Sequence, residues 1–406
     1  MSLLVQKFGG TSVADPERMR SVAEHIARTR RAGHEVVVVV SAMGKTTDDL
    51  ERLAHEVSSD PSGREMDMLL TAGERISIAL LCMAIIDQGE AAVSFTGSQA
   101  GILTDTAHRK AKILEIKADR IRDALDRGSV AVVAGFQGMS TDRAITTLGR
   151  GGSDTTAVAL AAALAADVCE IYTDVAGVYT ADPRIVPGAR RLERLSYDEM
   201  LELSATGGRV LALRSVEFAR NYGVPVHVRS SFTWELGTWI GEEESNMEQP
   251  IISGVTHDIS EAKVTIFRVP DRPGIAAKLF RALAEANLNV DMIEQNVSTE
   301  GHTDISFTVP RDELARTNEI VDKVVVDIDA GGSNYDAAIG RVSVIGAGMR
   351  TNPGVAAQMF ETLAAENVNI EMISTSTIRI SCVVHEDDVE RAVRALHAAF
   401  ELERAP

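Results

Sequence analysis

The sequence contains little that would suit an extracellular, membrane-bound or nucleic-acid-binding protein. Its 406 residues include three cysteines, Cys82, Cys169 and Cys382, which form no CxxC pair and are too few for a disulfide framework. The formal net charge is −18 at pH 7, so the chain lacks the overall basic field that attracts nucleic acid or an acidic membrane surface. The N-terminus does not resemble a signal peptide, and the longest tempting apolar run, at 157–166, is far shorter than the roughly 20 residues that cross a bilayer. We therefore expect a cytoplasmic protein with no nucleic-acid partner and no membrane partner.

Several common catalytic signatures are also missing. The sequence has no HExxH helix and no paired Cys/His spacing, so we expect no metal site of the zinc type. The segment at 346–354 follows a strand, but Thr351 stands where a Rossmann fingerprint needs glycine. Val39 likewise stands where a P-loop ending in Lys45 and Thr46 needs its first glycine. These absences exclude the two commonest nucleotide motifs.

The composition is that of a soluble globular chain with two or three domains, since 45% of residues are hydrophobic and 25% are charged. The first 230 residues alternate apolar runs with helical patterns, which favours an αβα layered domain. The run at 36–40 has no polar alternation, so it predicts a strand buried on both faces of a parallel sheet. The predicted strands are LLVQKF (3–8), VVVVV (36–40), AAVSF (91–95), VAVVAGF (130–136), CEIYT (169–173) and VPVHVR (224–229).

Two helix starts are signalled by their capping residues. Asp15 followed by Pro16 is typical of an N-cap and first helical position, and the helix should extend to about Arg31. Ser196 with Glu199 three residues later predicts a capping box.

The second part of the chain contains an internal repeat. The polar, charged segment at 241–249 marks the boundary before it. The segments at 273–293 and 353–373 are identical at eleven of 21 positions, and each is preceded by one alternating strand pattern and followed by another. This order predicts two ferredoxin-like βαββαβ domains. We place the first domain at 1–245, a linker that adds a strand to the repeat region at 246–260, and the two copies at 261–339 and 340–406.

Two glycine-rich loops predict anion sites. KFGGTS (7–12) ends a buried strand, and its glycines let the backbone approach a phosphate next to the point charge of Lys7. In TTLGRGGSDTT (146–156) the glycines precede a helix, whose positive end favours an anion, and Arg150 supplies a fork that fits a carboxylate. We expect Ser153 and Asp154 to cap that helix. The alternative interpretation of each loop is a solvated glycine turn.

Two further segments allow two interpretations each. The segment at 170–184 carries Tyr179, Asp182 and Arg184 and suits a nucleotide, although a β-hairpin with an exposed rim fits equally well. Glu74 stands where a helix is expected to begin, either as a ligand-binding carboxylate or as a residue of a capping turn.

The combination of motifs resembles the aspartate kinases of the amino-acid kinase family. The resemblance covers nearly the whole chain, and the repeat looks like the paired ACT domains of the monofunctional, feedback-regulated form. It implies transfer of the ATP γ-phosphoryl group to the side-chain carboxylate of L-aspartate, giving 4-phospho-L-aspartate for lysine, threonine, methionine and diaminopimelate biosynthesis. The motifs are KFGGTS (7–12), SAMGKTTD (41–48), LLTAGERIS (69–77), TTLGRGGSDTT (146–156) and YTDVAGVYTADPR (172–184).

The resemblance also implies the site residues of this kinase. Lys7 would bridge the transferring phosphate, Asp154 would orient lysine or metal, and Arg150 would hold the substrate α-carboxylate. ATP and Mg²⁺ would be required, with Mg²⁺ held mostly by ATP oxygens. Some relatives have lysine at the position of Arg209. The aspartate side would comprise Thr47, Glu74, Arg150, Gly151, Gly152 and Ser153; the ATP side would comprise Lys7, Phe8, Gly9, Gly10, Ser41, Thr173, Asp174, Tyr179, Asp182, Pro183, Arg184 and Arg209.

The ACT resemblance implies that lysine, threonine or both bind between the copies as effectors. The alternative for the asparagines after each helix is that they are turn residues. The candidate residues are Asp271, Gly274, Ile275, Ala276, Asn289, Val290, Asp291 and Gln295 in the first copy, and Val355, Ala356, Asn369, Ile370, Ser376 and Thr377 in the second.

The sequence leaves more than one possibility open for the oligomeric assembly and for the substrate. We expect a homo-oligomer, or an α2β2 assembly whose smaller subunit starts internally near Met247, because the glutamates at 242–244 imply purine-rich codons ahead of it. Another kinase of the family, acting on a glutamate-type substrate, would keep the fold. A catalytically silent sensor of nucleotide and amino acid would belong to a different functional class.

Overall fold

The protein is described by a computed structural model that covers residues 2–208, 210–243, 251–296 and 301–404. The chain divides into two compact units. The described residues of the first unit are 2–178, 191–205 and 210–243, and those of the second are 179–190, 206–208, 251–296 and 301–404. The two short segments before residue 210 that belong to the second unit lie inside the range that we assign to the first domain from sequence.

The first unit is a mixed α/β domain. Its strands are β1 (Leu3–Phe8), β2 (Glu35–Val40), β3 (Ala92–Phe95), β4 (Ile102–Thr104), β5 (Ile113–Ile116), β6 (Val130–Ala134), β7 (Gln137–Ser140), β8 (Ile145–Thr147), β9 (Val168–Thr173), β10 (Arg194–Ser196), β11 (Val226–Ser230) and β12 (Thr238–Gly241). Its helices are α1 (Pro16–Arg31), α2 (Thr46–Val57), α3 (Gly63–Asp87), α4 (Asp119–Asp126), α5 (Gly152–Leu164), α6 (Tyr197–Ala205) and α7 (Leu213–Tyr222).

The six predicted strands form the parallel part of an eight-stranded sheet, from β11 to β3 at one edge. The strand order is β10-β12-β11-β9-β1-β2-β6-β3, and all neighbours from β11 to β3 are parallel. The valines at 36–40 are fully buried, because α1 and α3 pack on one face and α4 and α5 cover the other. The αβα prediction is confirmed.

The capping predictions for α1 and α6 are also confirmed. Asp15 accepts hydrogen bonds from the backbone N–H groups of Glu17 and Arg18, with Pro16 as the first helical residue. Ser196 Oγ accepts from the N–H of Glu199, while Glu199 Oε2 accepts from the N–H of Ser196. Each bond satisfies a donor that the helix start would otherwise leave unpaired.

The shortest elements were not predicted. β5, β4, β7 and β8 form a second sheet in that order, and each has only three or four residues. Strands this short show too few alternations for a period of two to be recognised.

Helix α3 is long and apolar on average, although its longest uninterrupted apolar run, at 78–86, is shorter than that at 157–166. Within the described residues, the 25-residue α3 is the helix whose length and composition would allow it to cross a bilayer. Half of its most apolar window is buried inside the protein, as in the core helix of a globular domain.

The second unit contains both copies of the repeat. Its strands are β13 (Gly254–Asp258), β14 (Glu261–Pro270), β15 (Ile293–Gln295), β16 (His302–Pro310), β17 (Gly332–Asp336), β18 (Ile339–Ile345), β19 (Met372–Thr375) and β20 (Arg379–His385). Its α-helices are α8 (Ile275–Glu285), α9 (Leu314–Asp327), α10 (Val355–Ala365) and α11 (Val389–Ala399).

The first copy has the predicted ferredoxin-like order β14-α8-β15-β16-α9-β17. Its strands lie in the order β15-β16-β14-β17. Up to residue 404, where the described residues end, the second copy, β18-α10-β19-β20-α11, has no sixth element that follows α11 in sequence. β13, which precedes the first copy, pairs antiparallel with β18 and occupies the position that β17 has in the first sheet.

Reciprocal ion pairs join the two copies. Lys263 of the first copy pairs with Glu371 of the second, and Arg341 of the second pairs with Asp291 of the first. Lys263 corresponds to Arg341 in the repeat, and Asp291 corresponds to Glu371. Arg341 is 2% exposed and also lies 3.0 Å from Glu261. The copies are therefore related by a local pseudo-twofold arrangement.

Candidate active site

The carboxyl ends of three adjacent parallel strands bring the predicted loops of the first unit together. In the sheet, Phe8 at the end of β1 lies in register with Val40 of β2 and with Tyr172 of β9. The segments that continue from these strands therefore start at one edge of the sheet, which is where open α/β sheets bind ligands.

Lys7 and Asp154 form the charged centre of this edge. Lys7 Nζ lies 2.6 Å from Asp154 Oδ1, and each side chain is 11% exposed. Lys7 belongs to β1, whereas Asp154 lies in the first turn of α5, so the contact joins KFGGTS to the glycine-arginine loop. An ion pair this buried holds both groups in a fixed geometry, because leaving either charge unpaired would be costly.

Of the two glycines after Lys7, Gly10 is required by close packing. A Cβ on Gly10 would lie 2.8 Å from the carbonyl oxygen of Ala42, so no larger residue fits there without a shift of the backbone. A Cβ on Gly9 would lie 3.5 Å from Lys7 Nζ. The loop thus leaves the space beside the ammonium group free of side chains.

The start of α5 differs from the capping prediction. The N-cap is Gly151, which has a φ of 73° and makes no side-chain capping bond. Ser153 and Asp154 are the second and third helical residues, so neither caps the helix. The Asp154 carboxylate instead forms an ion pair with Lys7 and lies at the positive end of the helix dipole.

Glu74 lies in the middle of α3, not at a helix start, which corrects the second local prediction. The helix begins eleven residues earlier, where Ser62 accepts from the N–H of Glu65. Gly73 does not interrupt the helix. A Cβ there would lie 2.7 Å from that of Ala42, so glycine permits close packing.

Glu74 is buried and incompletely bonded. It is 3% exposed, Oε1 accepts from the N–H of Ala42 at 3.2 Å, and Oε2 has no hydrogen-bond partner within the described chain. Burial raises the pKa of Glu74 to about 7. A buried carboxylate with a free oxygen is suited to receive an ammonium group.

Thr47 and Arg150 are the other two side chains predicted for the acceptor side. Thr47 is half-buried in the first turn of α2. Arg150 is exposed between Gly149 and Gly151, which have φ values of 80° and 73°. Both glycines adopt the left-handed conformation that other residues rarely adopt, so the arginine loop needs them.

The first unit also contains part of the predicted nucleotide side. Thr173 ends β9 and donates to Asp174 Oδ1 at 3.0 Å. Ser41 directly follows β2, and its N–H donates to the carbonyl of Phe8. Ser231 bridges the loops, because its hydroxyl lies 2.8 Å from that of Ser12 and its N–H donates to the carbonyl of Thr173.

The remaining nucleotide candidates belong to the second unit. Asp182 pairs with Arg184 at 2.6 Å, and this hydrogen-bonded guanidinium lowers the pKa of the Asp182 carboxyl. The neighbouring Ala181 and Val186 pack in the core of the second repeat copy. Tyr179 and Pro183 lie in the same segment, and Arg209 lies outside the described residues.

A cavity of about 340 Å³ lies at the Pro-Gly loop of the first copy. Among the described residues, Asn289 and Val290 do not line it, and Asp291 is bonded to Arg341 instead. Five predicted effector residues line it: Asp271, Gly274, Ile275, Ala276 and Gln295.

The second copy repeats the backbone of the first. Gly274 and Gly354 are both left-handed N-caps, with φ values of 95° and 108°. Asn287 and Asn367 terminate α8 and α10 with φ values of 56° and 54°, which fits the turn interpretation for these two. Of the other candidates in the second copy, Val355 is buried and Ala356 and Ile370 are half-buried, whereas Asn369, Ser376 and Thr377 are exposed.

Sequence reasoning missed several residues that hold the site together. Asp67 is fully buried on α3, and Arg214 of α7 donates to the carbonyl of Leu148, just before the arginine loop. A usable signal existed for Asp67, because it precedes Glu74 by seven residues and so lies on the same face of α3. No such periodicity marks Arg214.

Within the described residues, no group of three or more His, Cys, Asp or Glu side chains is arranged to hold a metal ion.

Comparisons with known proteins match this architecture. The amino acid kinase family matches residues 2–230, and ACT domains match residues 263–325 and 342–400. The chain is therefore an amino acid kinase domain followed by two ACT domains, as the resemblance predicted.

Named relatives are similar over the full length. The aspartokinase of Mycolicibacterium smegmatis is 58% identical over 407 residues, covering 99% of this chain and 97% of the relative. The crystal structure of E. coli aspartokinase III with aspartate and ADP (R-state) is similar with a TM-score of 0.84 and 25% identity, covering 98% and 99% of the two chains. The complex of that enzyme with lysine and aspartate (T-state) gives a TM-score of 0.74 at the same identity and coverage. The chain belongs to the aspartokinase family.

Proposed function

We propose that this protein transfers the γ-phosphoryl group of ATP to the side-chain carboxylate of L-aspartate, giving 4-phospho-L-aspartate. The observation that carries the proposal is the buried Lys7–Asp154 pair at the junction of the two predicted anion loops, in a chain of the aspartokinase family. The product would feed lysine, threonine, methionine and diaminopimelate biosynthesis in the cytoplasm.

The reaction needs charge neutralisation and positioning, not a general base. An aspartate side chain has a pKa near 3.9, so the nucleophile is already ionised at pH 7. The phosphoryl group passes in line between two oxygens with charge on its equatorial oxygens. Lys7 neutralises that charge, and Asp154 keeps the ammonium group in place.

The acceptor side recognises both ends of the amino acid. The guanidinium of Arg150 binds the α-carboxylate with two parallel hydrogen bonds. The free oxygen of Glu74 receives the α-ammonium group, assisted by the hydroxyl of Thr47. The backbone of Gly151, Gly152 and Ser153 presents the positive end of α5 to the same anion.

ATP is held by the loops at the sheet edge and by the segment that follows β9. The backbone of Gly9 and Gly10 approaches the phosphates. Mg²⁺ would be held mainly by phosphate oxygens and would supply further charge neutralisation, because Asp154 is already paired with Lys7. The nucleotide-side residues are Lys7, Phe8, Gly9, Gly10, Ser41, Thr173, Asp174, Tyr179, Asp182, Pro183, Arg184 and Arg209.

Effector amino acids act through the second unit. The cavity lined by Asp271 and Gln295 has the size and polarity for one small amino acid. Lysine, threonine or both bind there and inhibit, provided that they bind one global state better than another. Asn289, Val290 and Asp291, together with the second-copy residues Val355, Ala356, Asn369, Ile370, Ser376 and Thr377, remain candidates for further effector contacts.

The protein assembles as a homo-oligomer, or as an α2β2 assembly with a shorter subunit that starts near Met247. The start itself lies outside the described residues. N-terminal sequencing of the purified native protein decides between these assemblies, and a sample without a product beginning at Met247 argues against the second.

One assay separates the proposed activity from its alternatives. ADP release and hydroxamate formation are measured with L-aspartate, glutamate and N-acetylglutamate, with Lys7→Met as the inactive control. Turnover with aspartate, suppressed by lysine or threonine, is the expected result. Turnover with a glutamate-type acceptor alone points to another kinase of the family, and nucleotide binding without turnover points to a sensor.

A further inference from the structure

The loop between β4 and β5, residues 105–112, contacts all three elements that carry the proposed aspartate-binding side chains. Toward α2, which carries Thr47, Arg109 pairs with Glu51 at 2.6 Å. Toward the arginine loop, the N–H of Ala111 donates to the carbonyl of Thr147 at 2.9 Å. The third contact, toward α3, is made through Asp67.

Asp67 is the anchor of this loop. It is 0% exposed. One oxygen accepts from Thr147 Oγ1 at 2.6 Å, the other lies 2.6 Å from His108 Nδ1, and the N–H of Arg109 donates to both at 3.1 and 3.2 Å. A single carboxylate thus fixes the 105–112 loop and the strand that leads into the arginine loop.

The same loop lies against the glycine that shapes the arginine loop. A Cβ on Gly149 would lie 2.9 Å from the carbonyl oxygen of Arg109 and 3.8 Å from Lys110 Cα. A shift of the 105–112 loop by a fraction of an ångström would therefore be transmitted to the residue before Arg150.

Two features of this region limit how it can change. The buried carboxylate of Asp67 is tolerated because both of its oxygens are bonded, so loss of a partner would be unfavourable. Arg109 has a φ of 65°, a conformation that costs stability because a residue with a β-carbon rarely adopts it. Both features occur beside the proposed acceptor site.

We infer that Asp67, His108 and Arg109 are positioning residues for the acceptor amino acid. Asp67 and His108 set the 105–112 loop, which in turn sets the distance between the Arg150 guanidinium and the Glu74 carboxylate. This inference rests on the proposed function, because it assigns the loop to the aspartate side of the same site. None of the three residues needs to contact the substrate.

If Asp67, His108 and Arg109 had only a structural role, the expected result would be different. A structural defect lowers the melting temperature and affects both substrates alike, whereas a positioning defect raises the KM for aspartate and leaves the KM for ATP unchanged. The split between the two KM values is therefore the deciding measurement.

The first experiment changes His108 and uses the full-length protein. His108→Ala is expected to raise the KM for aspartate about tenfold, with the KM for ATP within about twofold of wild type. His108→Asn places an amide where Nδ1 lies and is expected to restore most of the loss. His55→Ala, at an exposed histidine of α2, is the matched control and should change neither value.

The second experiment tests the strained position. Arg109→Gly relieves the left-handed backbone and keeps the N–H that Asp67 accepts, but it removes the pair with Glu51, so the KM for aspartate is expected to rise without loss of melting temperature. Arg143→Gly is the control, because Arg143 is also exposed, with a φ of 62°, in the turn between β7 and β8.

Asp67 itself should show the largest change. Asp67→Asn keeps an acceptor for Thr147 and is expected to be intermediate, while Asp67→Ala is expected to raise the KM for aspartate about 100-fold. If the Asp67 variants do not fold, the His108 and Arg109 variants still decide. Equal changes in both KM values, or none, in those variants overturn the inference, whereas a wild-type protein that does not phosphorylate aspartate overturns the proposed function instead.

Discussion

The charged groups at the sheet edge of the first unit are buried, whereas the polar groups around the Pro-Gly loop of the first ACT domain are open to solvent. Lys7 is 9% and Glu74 is 3% exposed, while Asp271 and Gln295 are exposed around a cavity. Phosphoryl transfer benefits from charges that need no rearrangement at the moment of reaction. A regulatory site has the opposite requirement, because its ligand must supply contacts that are absent without it.

Replacement of Lys7 should have the largest effect if the buried centre performs the chemistry. Lys7→Met is expected to lower kcat by at least about 1,000-fold, because the transferring phosphate loses its nearest cation. It should also lower the free energy of unfolding by about 3–5 kcal/mol, since Asp154 is left buried without its partner.

The double variant separates these two effects. Lys7→Met with Asp154→Asn should recover stability in urea unfolding but should not recover kcat. Recovery of turnover in the double variant would mean that the pair is only structural.

Arg150 is the exposed member of the proposed catalytic site and should behave differently from Lys7. Arg150→Ala is expected to raise the KM for aspartate about 100-fold with an unchanged melting temperature, because the guanidinium is exposed before substrate binds. Arg150→Lys should recover only part of the loss, since an ammonium group cannot form the paired hydrogen bonds. Steady-state kinetics with each substrate varied in turn measures the two KM values. A rise in the KM for ATP alone would place Arg150 on the nucleotide side.

Glu74 should make the use of aspartate dependent on pH. Its pKa is raised to about 7 by burial, and only the ionised form attracts an ammonium group. In wild type, kcat/KM for aspartate should rise about tenfold between pH 6 and pH 8. In Glu74→Gln the profile should be lower and flat across this range, and a parallel rise in the variant would assign the titration to another group.

Titration of Glu74 should affect the free energy of unfolding in the opposite direction from its effect on the use of aspartate. Its pKa is higher in the folded state than the ordinary 4.5, so its contribution is fully present below pH 4.5 and is lost as pH rises through 7. Relative to wild type, Glu74→Gln should therefore become more stable as pH increases from 5 to 8. Urea unfolding at several pH values measures this difference.

Substitutions at the solvent-exposed Pro-Gly loop of the first ACT domain should have the smallest effects on basal turnover. Asp271→Ala is expected to leave kcat and both KM values within about twofold of wild type, while the inhibition constant of lysine or threonine rises about tenfold. Inhibition curves at fixed aspartate and ATP test this expectation. A change in basal kcat with unaltered inhibition would remove the cavity from the effector role.

The parts predictable from sequence are those encoded by local chemistry. The valines at 36–40 predict a doubly covered strand, Asp15 with Pro16 predicts a helix start, and the repeat predicts two ferredoxin-like domains. The family follows from five motifs in order. These features need only neighbouring residues to be recognised.

The parts that were wrong or missed depend on contacts between distant residues. Asp154 looks like a capping residue until Lys7 is known to lie beside it, 147 positions earlier in the chain. Glu74 looks like a residue at a helix start until α3 is seen to continue through Gly73, which packs against Ala42. The anchor at Asp67 joins groups up to 80 residues away, which no local pattern reveals.

The borrowed strand β13 sets a limit on where the polypeptide can be shortened. A chain that began at residue 261 would lack the partner of β18 and would expose the edge of its last sheet. A product starting at Met247 would keep that strand but would lose residues 179–190, whose Ala181 and Val186 fill part of the same core. Such a product would lack these two side chains from the core of its second ACT domain, and the apolar groups that they cover would be left without those contacts.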